Sequence, residues 1–465
     1  MKKLLGIVLS TGVAFSVSAV VPQQVKTMVD GGAFAAVEKL LLENPGTITA
    51  VEADSLRAIM QRVRGDFDYT YEEGVALIKK KFPHATREMI DSWAQKKYIE
   101  VRNIDGVNRV FNKTVSNLDR LVPELSKHRA AEAYAGSREL EDAARKAITV
   151  SSDKGLSAPV KVTMRFSATV KPDAVPAGSV VRAWLPFPVE SERQSDATLV
   201  SSSDKVTFSQ GSVHNTVYME KKAVKGKETR FEIVVSYKTR SQYYSKEYIA
   251  AHKTDYDKNS EIYKKYTSAE YPHVVVDEQM RQLAKSIVGS ETDPLRQASL
   301  IYEWEDTYFP WAGAREYSTI PCIPQYVLEM RHGDCGQVSL LYISLLRSLG
   351  IPARWESGYM LEEHSAGMHD WAEVYYEGIG WVPVDMSFGL LKSTQEEPVM
   401  DFYKTGLDYM RFASNKGVGG VLSPAKKWVR SETVDFQLGE VEWDGGNLFY
   451  YEDWQPKVEM ISIER

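Results

Sequence analysis

The spacing of apolar residues changes twice along this chain, and no other feature limits its folds so strongly. From about Gly32 to Leu121 the spacing is helical. Ala53, Leu56, Ile59, Met60 and Val63 line one face, and Tyr71 to Phe82 continues in the same style. Pro83-His84-Ala85-Thr86 interrupts the pattern, with Thr86 placed to cap a helix through Met89, Ile90 and Trp93. Leu118, Leu121, Leu125 and the charged segment to Ile148 read as further helix. After a polar linker at Ser151 to Pro159 the period becomes two. Val162, Met164, Phe166, Ala168 and Val170 alternate with polar residues, as do Phe231, Ile233, Val235 and Tyr237. Such strands, separated by Pro, Gly and Ser, predict a β-sandwich over 155–245. Pro186 and Pro188 predict an edge strand or a bulge within it. From about Asp277 the helical period returns, with Leu295, Ala298, Ile301 and Trp304 on one face. The expected fold class is therefore α+β. A helical N-terminal region over 20–150 and the sandwich precede an α+β core over 250–400, and an aromatic-rich extension over 401–465 packs on that core.

With 465 residues the chain exceeds one ordinary core. A net charge of -6 and the lack of any long basic stretch give nucleic-acid binding no electrostatic support. Lys2 and Lys3, an apolar stretch from Leu4 to Val17, and the small residues Ser18-Ala19 read as a signal peptide, residues 1–19, cleaved after Ala19. The rival reading is an uncleaved anchor, disfavoured because Ser, Thr and Gly dilute the run. The segment has no Cys for lipid attachment. The mature chain is expected to be periplasmic or secreted, with no stable membrane insertion.

There are two cysteines, Cys322 and Cys335. Cys335 lies in Arg331-His332-Gly333-Asp334-Cys335-Gly336-Gln337, a turn leading into a helix whose stripe is Val338, Leu341, Leu345 and Leu349. Gly350 and Pro352 end that helix. Cys335 thus falls at a helix N-terminus, where free N–H groups and the positive end of the dipole favour a thiolate and can donate to an oxyanion. The rival readings are a small buried hydrophobe and a disulfide with Cys322, which would silence the nucleophile.

His369-Asp370-Trp371-Ala372-Glu373-Val374-Tyr375-Tyr376 alternates and is rich in strand formers, and Trp381-Val382-Pro383-Val384-Asp385 is the return strand. A three-residue loop at 377–379 pairs Tyr376 with Gly380 and Trp371 with Asp385. His369 and Asp385 then share a face as diagonal neighbours, and one residue of slip would separate them. A cysteine nucleophile needs such an imidazole to take its proton, and a carboxylate to hold the ring.

Four pieces occur in order: Gly333-Asp334-Cys335, Gly350-Ile351-Pro352-Ala353-Arg354, His369-Asp370-Trp371-Ala372-Glu373-Val374, and Trp381-Val382-Pro383-Val384-Asp385. Together, over roughly 290–390, they resemble the transglutaminase-like superfamily, and the larger exported bacterial cysteine protease and amidase members in particular. The resemblance implies a papain-like core and a Cys-His-Asp triad carried onto Cys335, His369 and Asp385. It also implies an upstream side chain completing an oxyanion hole beside Gly336, a role open to Trp311, Tyr317 or Gln325. Trp371 and Trp381 are expected to pack around the triad, with Trp371 also open to a substrate-lining role. Arg354 is expected in a structural ion pair, and His332 and His364 at the surface. A zinc site lacks a second Cys or His at ligand spacing, and no cofactor is expected.

The expected function is an exported thiol enzyme acting on peptide or isopeptide amides of a peptide or protein substrate. Water is favoured over an amine as acceptor. The alternative is a catalytically silent relative that binds an envelope polymer or a partner. Oligomeric state is not legible.

Overall fold

The structure is a computed structural model describing residues 23–43, 48–126, 130–151, 155–211, 213–362 and 365–464. The expected signal segment and His364 lie outside these.

The N-terminal region contains the helices Gln23–Asp30, Phe34–Glu43, Ala50–Asp66, Tyr71–Lys81, Arg87–Gln95, Thr114–Leu121 and Ala130–Val150. Thr49 and Thr70 start theirs with capping boxes to Glu52 and Glu73, and Thr86 accepts from the Met89 N–H. One departure from the helical expectation is a hairpin of Val101–Ile104 and Val107–Val110. Asp105 and Gly106 turn it with φ of 50° and 83°, the positive pair that a two-residue hairpin loop demands. Of these two short strands only Ile104 and Val110 are buried, too few to write a period of two into the sequence.

The alternating residues of 162–170 and 231–237 all face one core. Val162 pairs with Tyr237, Met164 with Val235 and Phe166 with Ile233, and none exceeds 1% exposure. Two antiparallel sheets form a sandwich. One runs in the order Trp454–Glu464, Val160–Val170, Thr229–Thr239, Gln194–Ser202. The other runs Gly446–Leu448, Glu440–Trp443, Val180–Phe187, Asn215–Lys222, Thr207–Gln210. Three of these nine strands come from beyond residue 439. The C-terminal segment is thus not only an extension on the core, as the sequence implied: its last third completes the sandwich, with Trp454 buried inside it. The strand holding Pro186 is interior, not an edge, over Val181–Trp184. Its neighbour ends opposite Trp184, so Pro186 pairs only with Thr216 and has an open edge on its other side.

The third sheet runs Gly380–Val384, Ala366–Tyr376, Ala353–Leu361, Arg411–Asn415. The helix Cys335–Ser348 packs on its two central strands. The sequence predicted one apolar stripe, but every residue from Gly336 to Ser348 is buried. Ser344 manages this by donating to the Leu340 carbonyl and accepting the Val275 N–H, and Arg347 by donating to the Ala353 and Ser268 carbonyls. Truncating Leu341 or Leu345 in such a setting costs about 2–5 kcal/mol. Tyr359 and Phe412 of this sheet project into the sandwich core against Phe166, so sheet and sandwich share one apolar contact. The central helix is clamped on all sides, and its N-terminal tip is fixed.

Candidate active site

Cys335 is the first residue of that helix. Asp334 caps it, accepting the Gln337 N–H at 3.2 Å while the Gln337 side chain accepts the Asp334 N–H. The Tyr317 hydroxyl donates to Asp334. The helix end does not, however, make the thiol more acidic. The Cys335 thiol donates to Asp370 Oδ2 at 3.4 Å. Burial first, then the Asp370 and Asp334 carboxylates, push the thiol well above its ordinary range. About half a unit of positive charge at a helix terminus is outweighed by two adjacent carboxylates in a dry site.

Asp370 is itself 3% exposed. Burial, then Asp334, hold its carboxyl well above the usual range, and its second oxygen accepts from Gln437 Nε2 at 2.8 Å. Gly336 makes this close approach feasible. A Cβ there would lie 2.3 Å from Tyr317 Oη and 2.7 Å from Asp370 Oδ2.

His369 and Asp385 meet through the hairpin register. Tyr376 pairs with Gly380 and Ala372 with Val384, which sets His369 and Asp385 on one face. His369 Nε2 lies 2.7 Å from Asp385 Oδ2, with side-chain exposures of 7% and 0%. Arg411 Nη2 reaches the same oxygen at 3.4 Å, and the Ser387 N–H donates to Oδ1 at 3.1 Å. Burial would raise the Asp385 carboxyl. His369, Arg411 and the Ser387 N–H outweigh it, and the carboxyl sits below its usual range. Phe388 packs on the imidazole, ring centroids 5.5 Å apart. The thiol also accepts the backbone N–H of Asp370, which seats the sulfur against the residue that follows His369.

Residues 281–386 match the model of the transglutaminase-like superfamily. The chain carries a transglutaminase-like domain. An uncharacterised protein of Haemophilus influenzae is 30% identical over 141 residues, 24% of this chain and 37% of that protein. The uncharacterised YebA protein of Bacillus subtilis is 32% identical over 122 residues, 23% of this chain and 16% of that protein. The match therefore spans well under two thirds of either relative. Among solved structures, a candidate cysteine protease from Cytophaga hutchinsonii is similar at 13% identity and a TM-score of 0.43, covering 66% of this chain and 99% of that one. The periplasmic domain of TgpA from Pseudomonas aeruginosa bound to ethylmercury is similar at 13% identity and a TM-score of 0.26, covering 57% and 97%.

Around the transglutaminase-like domain the remaining expected residues separate. Tyr317 lies at the thiol's cap, and Gly336 follows the thiol in the first helical turn. Trp311 is 37% exposed, bridges to Gly333, and carries the Arg120 guanidinium 4.3 Å over its ring. Gln325 is not in this group. It is exposed in the first turn of the helix Ile323–Met330, with its N–H on Cys322 Sγ. Trp371 cannot line a groove, because it is 0% exposed and donates to Glu356 at 2.8 Å. His332 is 5% exposed, not a surface residue, and burial lowers it to about 4. Arg354 pairs with Glu373 and stacks 4.0 Å over Trp381. Cys322 and Cys335 are separate free thiols.

Sequence reasoning passed over Asp370 and Arg411. Asp370 alternates with His369 and so takes the face of Ala372 and Val374, which meets the helix. That signal was available. Arg411 arrives from a strand 26 residues beyond Asp385, with no local pattern to announce it.

Proposed function

We propose that the chain is an exported thiol enzyme that breaks peptide or isopeptide amides through an acyl-enzyme, with Cys335 as nucleophile, His369 as base and Asp385 orienting the base. The observation that carries this is the buried 2.7 Å contact of His369 and Asp385, backed by Arg411, on a hairpin packed against the helix that Cys335 begins. With Nε2 held by Asp385, the ring nitrogen left to take the thiol proton is Nδ1. The thiolate then attacks the carbonyl, and N–H groups at the helix start, that of Cys335 among them, face the oxyanion. His369 returns its proton to the leaving amine, and water releases the acid. Lys2, Lys3 and the apolar stretch to Val17 support export, and among the described residues no helix is long and apolar enough to cross a membrane.

The test is alkylation of the full chain by iodoacetamide at neutral pH, beside turnover of amide substrates. Labelling at Cys335 that falls at least about tenfold in His369→Ala, with turnover abolished in Cys335→Ser, is expected. A second reading, a silent relative that binds an envelope polymer or partner, draws on the hydrogen bond of the thiol to Asp370. It predicts slow labelling that does not depend on His369.

A further inference from the structure

We propose that the cavity beside His369 is a subsite for a primary ammonium group of the substrate, with Glu305 as its counter-ion. The proposal rests on the thiol-enzyme reading above and names a substrate class for it.

The cavity measures about 80 Å³ and is lined by Glu305, Phe309, Trp311, Gly333, Ser387 and Phe388 among others. It adjoins both sides of the reaction centre. Gly333 lies two residues before Cys335, and Phe388 packs on the His369 ring. Glu305 is 1% exposed, and among the described residues neither of its carboxyl oxygens has a hydrogen-bond partner. The Ser387 hydroxyl is likewise buried and unpartnered. Burial pushes the Glu305 carboxyl well above its usual range. An unsatisfied buried polar group is destabilising, and more so when charged. Retaining one on the wall of a cavity that reaches Gly333 and Phe388 calls for a partner that arrives with the substrate.

The lining selects that partner. An anion would face Glu305 and Asp306. An apolar group would leave Glu305 and Ser387 unpaired. A small cationic donor can bond to both while lying against the rings of Phe309, Trp311 and Phe388. The cations at the rim are engaged elsewhere: Lys392 pairs with Asp306 at 2.7 Å, and Arg120 stacks on Trp311. At about 30 Å³ per water, the space suits an ammonium and its adjoining methylene. Such a group could come from the acyl donor, as a lysine side chain near the scissile amide, or from an amine acceptor.

Calorimetric titration of full-length Cys335→Ala separates these sources and needs no turnover. The probes are an N-acetylated lysine-containing tripeptide amide, its Nε-acetyl form, and cadaverine. Binding of a free amine at least about tenfold tighter than its acetylated form, reduced to within about twofold by Glu305→Gln, is expected. Ser387→Ala removes the second polar wall and is read the same way, should Glu305→Gln fail to fold. Preference for the tripeptide places the amine on the acyl donor, and binding of cadaverine places it on the acceptor. Equal affinity for free and acetylated forms, no binding by any probe, or a preference that survives both substitutions overturns the subsite. Ammonium binding in a protein whose wild type cleaves no amide would sink the catalytic reading and leave the subsite standing.

Discussion

Two carboxylates on one hairpin, Asp370 and Asp385, are both buried and both lie beside a reactive side chain, yet their electrostatics are opposite. Asp385 shares one oxygen between His369 and Arg411 and takes a backbone N–H on the other. Asp370 receives only the thiol and the neutral amide of Gln437, and has Asp334 for a neighbour. Asp385 is therefore held more acidic than an ordinary carboxyl, and Asp370 less acidic. Burial does not set the charge state of a carboxylate by itself. The count of cations and N–H donors aimed at it does.

The largest effect that could break this comparison is at Asp385. Asp385→Asn leaves the hairpin intact but removes the charge that fixes the His369 tautomer. Amide turnover is expected to fall about 10³–10⁴-fold, measured as kcat at neutral pH. A fall of less than tenfold would make the His369–Asp385 contact structural.

A second effect tests whether burial that outweighs nearby cations has the same meaning outside this hairpin. Asp66 is 8% exposed and accepts the Glu316 N–H at 3.0 Å, yet burial raises it to about 7. Its folded pKa lies above its unfolded value, so the folded state holds the proton longer. Its contribution to stability is complete below about pH 4 and is lost as pH rises towards 7. The shift from 3.8 to about 7 corresponds to about 4 kcal/mol. Denaturant unfolding from pH 4 to 8 should show wild type losing stability on that order relative to Asp66→Asn. Parallel curves would mean that the Asp66 carboxyl is as well solvated as Asp385 is well paired.

The smallest effect sharpens the contrast at the thiol. Asp370→Asn removes a carboxylate that disfavours the thiolate, so the thiol pKa should drop. Iodoacetamide labelling of Cys335 at pH 7 should then be faster than in the wild type. A slower rate would mean that Asp370 assists the nucleophile, in which case the two carboxylates are partners and not opposites.

The local chemistry was largely legible. The Gly-Asp-Cys-Gly turn, the capped helix and the three-residue loop that registers His369 against Asp385 all depend on neighbours within a few residues, and the strand faces at 162–170 and 231–237 follow from alternation alone. The site's electrostatics were not. The half-charge expected at the Cys335 helix end is overruled by burial and then by Asp370, whose face was deducible but whose burial was not. Gln325 and Trp371 have the right chemistry, but one is turned to solvent and the other sealed in the core.

The sequence by itself determined most of the elements, the faces of the sandwich strands and the register of the hairpin that carries His369 and Asp385, because periodicity, caps and turn lengths act over short stretches of chain. Only the tertiary structure decided that strands beyond residue 439 close the sandwich, that Arg411 shares Asp385 with His369, and that Glu305 is left, among the described residues, without a hydrogen-bond partner on the wall of a cavity. Those outcomes turn on contacts between distant segments and on the removal of water. Both change the energy of a charge far more than they change the pattern of residues around it.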